Sequence, residues 1–214
     1  TSLLLTLRNL WNMAKIGFAT FLTEIAMSIT ILIVNYQFMS MLHEDGVAAY
    51  AVICYLFPVI FSINNAVAQA AQPIISYNYG AKLGLRVSRT LRLSLLTAII
   101  CGIIVMLTMI IGSGKIVEMF LRPTEKAYEI ATTGLPWFAS CAIFFALNVA
   151  FIGYYQSVTN AGRAIAYTVL RGIIFPLTSF MLLPLFFGTT GLWLAIPAAE
   201  LATMLIIVAL HFRK

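Results

Sequence analysis

Charge is what this chain has least of. Charged residues fill 9% of its 214 positions, and only seven of them are acids. A soluble domain carries about a quarter charged residues and could not cover its surface with so few, so the solvent for most of this chain is lipid. Histidine is almost missing as well. His43 and His211 are the only two, and they fall at opposite membrane ends with no HExxH-type spacing. An intramembrane enzyme would need a nucleophile–base or metal constellation, and those residues do not supply one. The three cysteines, Cys54, Cys101 and Cys141, sit inside apolar runs. They read as small hydrophobic residues, and no disulfide, metal or organic cofactor is called for. The opening "TSLLLTLRNLWNMAK" has no charged region ahead of its leucines, so no cleavable signal peptide is read there.

Apolar sequence is what remains. Sixty-two per cent of the residues are hydrophobic, and the mean hydropathy is +0.99. Crossing the hydrocarbon takes about 20 helical residues. Six segments qualify, at about 16–42, 47–76, 91–111, 134–159, 165–187 and 191–210, with residues 1–15 as an interfacial or linker segment. Helices are expected throughout, because an open sheet edge cannot be satisfied in lipid. The expected fold is therefore an all-α membrane protein, a six-helix bundle. Pro58, Pro73, Pro136, Pro176, Pro184 and Pro197 lie in or at the ends of these spans, where membrane helices tolerate proline generally.

Topology follows from the cations. With the N-terminus inside, Arg8, Lys15, Lys82, Arg86, Arg89, Arg92, Arg163, Arg171, Arg213 and Lys214 are cytoplasmic, and only Lys115, Arg122 and Lys126 are external. The loop acids Glu44, Asp45, Glu118, Glu125 and Glu129 are all external. This is a positive-inside signature with both termini cytoplasmic, in a plasma membrane of the bacterial inner-membrane kind. The basic turn "YGAKLGLRVSRTLR" then lies against anionic headgroups, which accounts for the positive balance without any nucleic-acid partner. The external segment 112–133 is expected to hold an interfacial helix.

Amides are embedded in the second span. Tyr55, Ser62, Asn65, Gln69, Gln72 and Ser76 recur at helical spacing and fall within an arc of roughly 100°, while Asn64 points away. Amides against lipid are costly, so the stripe faces other helices or a wet cavity. Hydrogen bonding between helices would explain any one of these residues; the stripe as a unit favours a water-accessible pathway. The fourth span repeats the idea more weakly with Asn148 and Tyr155. Two acids lie within spans. Glu24 falls roughly 12 Å above the cytoplasmic start of the first, and Glu200 sits near the middle of the sixth. An intramembrane acid is a functional candidate by default, the alternative being a hydrogen-bonded structural carboxyl. Glu24, with Thr20, Thr23 and Ser28 as helical neighbours, leans to function. Glu200, between Pro197 and Thr203, leans to packing and is kept as a secondary acid.

"GFATFLTEIAMSITILIVNYQ" at 17–37, "QPIISYNYGAK" at 72–82, "GYYQSVTNAGRAIAYTVLRG" at 153–172 and "GLWLAIPAAE" at 191–200 occur in one order along the chain. That series resembles the seventh, eighth, tenth-to-eleventh and twelfth helices of the MATE family, the multidrug and toxic compound extrusion transporters. The resemblance implies one lobe, the C-terminal six helices, of a twelve-helix V-shaped molecule about twice this length. The N-terminal lobe would be its partner, joined through residues 1–15. It further implies export of small organic drugs, often cations, in antiport with H⁺ or Na⁺ as coupling ion. Glu24 matches the family's cation-coupling carboxylate. Tyr55, Ser62, Asn65, Gln69, Gln72, Asn148 and Tyr155 would line the cleft. Some sodium-coupled members add an acid in the tenth helix; span 134–159 has none, so the ion is left open, Na⁺ at Glu24 included. Two other readings stay open. One is a lipid-linked oligosaccharide flippase of the same broad fold, which would carry more basic residues in its cavity than Arg171. The other is a structural membrane subunit with a dry amide stripe.

Overall fold

In the computed structural model, the backbone is described for residues 7–212 and the side chains for residues 28–211. The described residues are helical almost throughout and contain no strand. Four helices are long and apolar enough to cross a membrane, or five if one bent pair counts as a single span.

The first helical run, Leu7–Gly80, is not one rod. His43 has φ 57° and ψ −154°, outside helical geometry. Phe38 and Tyr50 stack with ring centroids 4.7 Å apart, whereas twelve residues of straight helix separate side chains by about 18 Å. The chain therefore doubles back at His43, and residues up to 42 and from 44 onward are called the first and second spans. The acids after the break, Glu44 and Asp45, sit in that turn.

The second span ends in a Schellman motif. The Lys82 amide donates to the Tyr79 carbonyl at 3.0 Å and the Leu83 amide to the Asn78 carbonyl at 2.9 Å, with Lys82 left-handed at φ 58°. The third span, Gly84–Ile111, follows directly, so only a tight turn carries the chain between them. Residues Ser113–Glu118 form a short helix. The fourth span starts at Lys126, earlier than the apolar run suggests, and consists of Lys126–Ala139 and Cys141–Ser157 bent by 43°. The break falls at Ser140, four residues beyond Pro136, where the Ser140 amide donates to the carbonyl three residues back, Trp137, at 3.3 Å. Ser140 lies at the bend, its hydroxyl donating to the Trp137 carbonyl at 2.7 Å. A second Schellman motif at Thr159 (φ 58°) ends this span. Asn160 then caps the next helix through the Arg163 amide. The fifth span joins Ala161–Val169 to Phe175–Phe187 through a π-turn, Leu170–Ile174. The wide turn comes just before Pro176, which cannot continue a regular helical ladder. The sixth span is Thr189–Phe212.

Lipid tails are as apolar as leucine, so burial from water does not hold these helices together; shape does. Third-span residues such as Leu93, Leu96, Ile100 and Ile104 are exposed, as a lipid-facing side requires. The fourth span is the hub: the consecutive residues Asn148, Val149, Ala150, Phe151, Ile152 and Gly153 are all buried, so it is covered on every side. Small residues let its neighbours approach. A Cβ on Gly102 would come 2.8 Å from the Ile143 Cα, and one on Gly153 would touch Ala68 at 3.2 Å. At the opposite end Gly134 lies flat against the Trp193 indole, which packs edge-on against Phe38 at 5.4 Å.

That last contact yields a test. Gly134→Ala places a methyl inside the indole and is expected to cost about 1–3 kcal/mol. Gly80→Ala meets nothing within 4 Å and should be neutral. Thermal unfolding in detergent, followed by tryptophan fluorescence, distinguishes them; equal midpoints would contradict the packing described.

Candidate membrane-embedded site

The sixth span places Glu200 in the bundle interior at 4% exposure. Its carboxylate meets a cation from the fifth span. Arg171 Nε donates to Glu200 Oε1 at 2.8 Å and to Oε2 at 2.9 Å. The fourth span contributes Asn148, fully buried, whose Nδ2 donates to Oε2 at 2.7 Å and to the Glu200 backbone carbonyl at 2.8 Å. The Arg171 guanidinium carbon stands 4.0 Å over the centroid of Phe145, also on the fourth span. Charge, amide and aromatic face thus come from three different helices.

The local sequence explains the geometry. Arg171 belongs to the π-turn, and the extra residue in that turn changes the direction of every side chain that follows it. From its place in the chain, Arg171 reads as a cytoplasmic-side residue near the membrane boundary, the one cation placed to approach a cavity. In the structure the side chain turns into the bundle itself and makes the only ion pair among the described residues. Isolated buried charges cost several kcal/mol each in desolvation, and a closely bonded pair offsets most of that. Carboxylate and guanidinium cancel, so the interior here is polar but close to neutral. Asn148 Oδ1 is buried without a hydrogen-bond partner.

Other candidates fall elsewhere. On the second span Tyr55, Ser62, Gln69 and Ser76 are exposed, while Asn65 and Gln72 are half-buried. The opposite face, with Ile60, Asn64, Ala68 and Ile75, packs inward. Hence Tyr55, Ser62 and Gln69 face out of the bundle that this chain forms, while Asn65, Gln72 and Ser76 lie at its edge. Ser62 donates only locally, to the Pro58 carbonyl at 2.8 Å. Two members of the stripe reach the fourth span: Gln72 donates to Gln156 Oε1 at 2.9 Å and Ser76 to the Ser157 carbonyl at 3.4 Å. Tyr55 stacks on Phe120 with centroids 5.7 Å apart. Asn148 and Tyr155, expected beside the stripe, are instead interior residues at 0% and 3% exposure. The Tyr155 hydroxyl bonds His211 Nδ1 at 2.9 Å. Glu24 lies outside the residues whose side chains are described.

Sequence reasoning named three residues without finding their partners. The pairing of Arg171 with Glu200 was hidden by the π-turn. Asn64 lies off the stripe and is buried, donating to the Ile60 carbonyl at 3.0 Å. His211 terminates an apolar helix and gives no signal that an aromatic cluster receives it.

The MatE family model matches residues 18–181. No curated protein sequence matches. Among solved structures, a MOP superfamily transporter from Pyrococcus furiosus is similar, with a TM-score of 0.78 and 19% identity over 90% of this chain and 42% of that one. An outward-facing multidrug resistance MATE family transporter of the same superfamily gives 0.79 and 18% over the same shares. An inward-facing one gives 0.76 and 19%, over 86% of this chain and 42% of the other. This chain therefore spans less than half the length of the structures it matches, and at such identities the likeness concerns the fold.

The buried triad predicts non-additive stability. Glu200→Gln leaves Arg171 charged and unpaired; Arg171→Met does the same to Glu200. Each should lose about 3–5 kcal/mol, and the double variant markedly less than the sum. Unfolding of all four proteins in one detergent gives the coupling. Additive losses would mean that the pair does not hold the three spans together.

Proposed function

This chain belongs to the MatE family, and from that premise we propose that it is the C-terminal six-helix half of a secondary multidrug efflux transporter. It would export organic, often cationic, compounds in antiport with H⁺ or Na⁺, from the plasma membrane, with its termini and the basic 81–92 turn on the cytoplasmic side.

The observation that carries this reading is the two-faced second span. Its apolar side and Asn64 pack inward, whereas Tyr55, Ser62 and Gln69 are exposed from the bundle. Exposed amides and hydroxyls cannot rest against hydrocarbon at mid-membrane without a cost of some kcal/mol. A second lobe across a wet cleft removes the cost, and the chain's share of its structural neighbours, 42%, leaves length for such a lobe. In folds of this type, alternating access works by rocking one bundle against another around a central site. The stripe would be one wall of that site.

The internal electrostatics favour drug efflux over oligosaccharide lipid flipping. A flippase cavity needs free cations for phosphates, and Arg171 is already neutralised by Glu200 at 2.8 Å. A purely structural subunit would give the stripe no reason to be exposed. In this proposal Glu24 binds the coupling ion, since it matches the family's embedded acid, and Glu200 serves to hold spans four, five and six. An ion at Glu24 and a drug in the cleft would favour different conformations, so release of one drives capture of the other.

The experiment is gradient-driven efflux in vesicles with equal amounts of each two-lobe variant. Glu24→Gln should reduce efflux at least about tenfold while insertion is unchanged, and drug binding should lose its response to pH or sodium. Glu24→Gln pumping like wild type would move coupling away from this residue. The 214-residue chain alone should show no ion-coupled flux; robust counterflow by a demonstrated monomer would refute the half-transporter reading.

A further inference from the structure

A cavity of about 280 Å³ opens at the end of the bundle away from the basic turn, between the starts of the fourth and sixth spans and the end of the first. It lies at the lower edge of small-ligand sites, which run from roughly 300 to 1,000 Å³, and suits a headgroup better than a drug. We propose that it binds the zwitterionic phosphate–ammonium headgroup of a phospholipid in the leaflet opposite the basic turn.

Its lining divides by charge. Lys126 is the first residue of Lys126–Ala139 and Thr189 the first of Thr189–Phe212. Two helix N-termini therefore open on one cavity, and neither Glu125 nor any other side chain caps the first of them. Unsatisfied amides and the positive end of the helix dipole favour an anion there. The Lys126 ammonium and the hydroxyls of Thr189 and Thr190 add donors of the kind that phosphate oxygens accept. One turn on, Glu129 offers a carboxylate to a cation. Lys126 and Glu129 do not pair with each other: the single ion pair among the described residues is Arg171–Glu200. Opposite charges one turn apart, left unpaired on one cavity wall, match a ligand that carries both signs.

The aromatic walls fix the depth. Trp137 is half exposed and Trp193, at 5% exposure, forms the floor against Gly134. Tryptophan concentrates where hydrocarbon meets headgroups, and an indole face attracts an ammonium beside a carboxylate. A phosphoethanolamine-type headgroup would set its phosphate at the helix N-termini and its ammonium between Glu129 and Trp137, with the acyl chains leaving along the apolar wall of Ile130.

Native mass spectrometry of the 214-residue chain in detergent, with short-chain phosphatidylethanolamine as probe, tests this. Short-chain phosphatidylglycerol, diacylglycerol and free phosphoethanolamine are the comparison probes, and helix content by circular dichroism confirms that each variant is folded. One phosphatidylethanolamine should bind per chain. Glu129→Gln should weaken it about tenfold and leave phosphatidylglycerol unchanged, whereas Lys126→Met should weaken both about tenfold. Both residues are exposed, so neither change threatens the fold. If both variants bind both lipids like wild type, or if diacylglycerol binds as tightly as phosphatidylethanolamine, the headgroup site is refuted. Free phosphoethanolamine binding as tightly as the lipid would overturn the assignment to a membrane ligand.

Discussion

Hydrocarbon offers no hydrogen bonds, and nearly every feature of this molecule answers to that constraint. Backbone groups are satisfied within helices. Where the helix is interrupted, the interruption repairs itself: Schellman bonds close the ends at Lys82 and Thr159, and the Ser140 hydroxyl takes up the Trp137 carbonyl at the bend in the fourth span. The buried charges obey the same rule. Glu200, Arg171 and Asn148 meet in the interior because none of them is tolerable there alone. The triad thereby ties three spans to one another more specifically than apolar packing can, since lipid competes for apolar contacts but not for this one.

Against that background the second span is the exception. Its inward side keeps the rule in part, with the Asn64 amide nitrogen bonded to its own helix and its Oδ1 left without a partner, while at the edge of the stripe Gln72 reaches Gln156. Its outward side, with Tyr55, Ser62 and Gln69, leaves polar groups facing away from the bundle. A chain that is this careful with buried charge elsewhere does not leave amides against lipid without cause. The second wall of a cleft is the cause proposed, and membership of the MatE family together with a 42% share of the matched transporters makes a facing lobe the natural wall.

Much of this was legible in the sequence, and the limits are physical. Apolar run lengths gave the helices, and the amide spacing gave a stripe with Asn64 off it, because both depend only on helical period. The turn at His43 was legible as a gap between runs, although the residue's left-handed backbone was not. The pairing of Arg171 with Glu200 was not legible. A single π-turn rotates everything beyond it, and no local pattern announces such a turn. Asn148 and Tyr155 share a helical face in the sequence, yet that face turns into the bundle, since a helix buried on all sides offers no periodic signal of which way is out. The early start of the fourth span at Lys126 was masked by its polar first turns, the same residues that make the zwitterionic cavity.

The central claim is that the outward stripe of the second span borders water between two lobes. Its most direct measurement is labelling of Gln69→Cys and of Ile100→Cys by a membrane-impermeant thiol reagent applied to both sides of vesicles holding the two-lobe protein. Cys54, Cys101 and Cys141 are removed first. Gln69→Cys should label rapidly and be protected by a bound organic cation, while Ile100→Cys on the lipid-facing third span stays unlabelled. If Gln69→Cys proves as inert as Ile100→Cys on both sides of the membrane, the stripe is dry and the cleft account is contradicted.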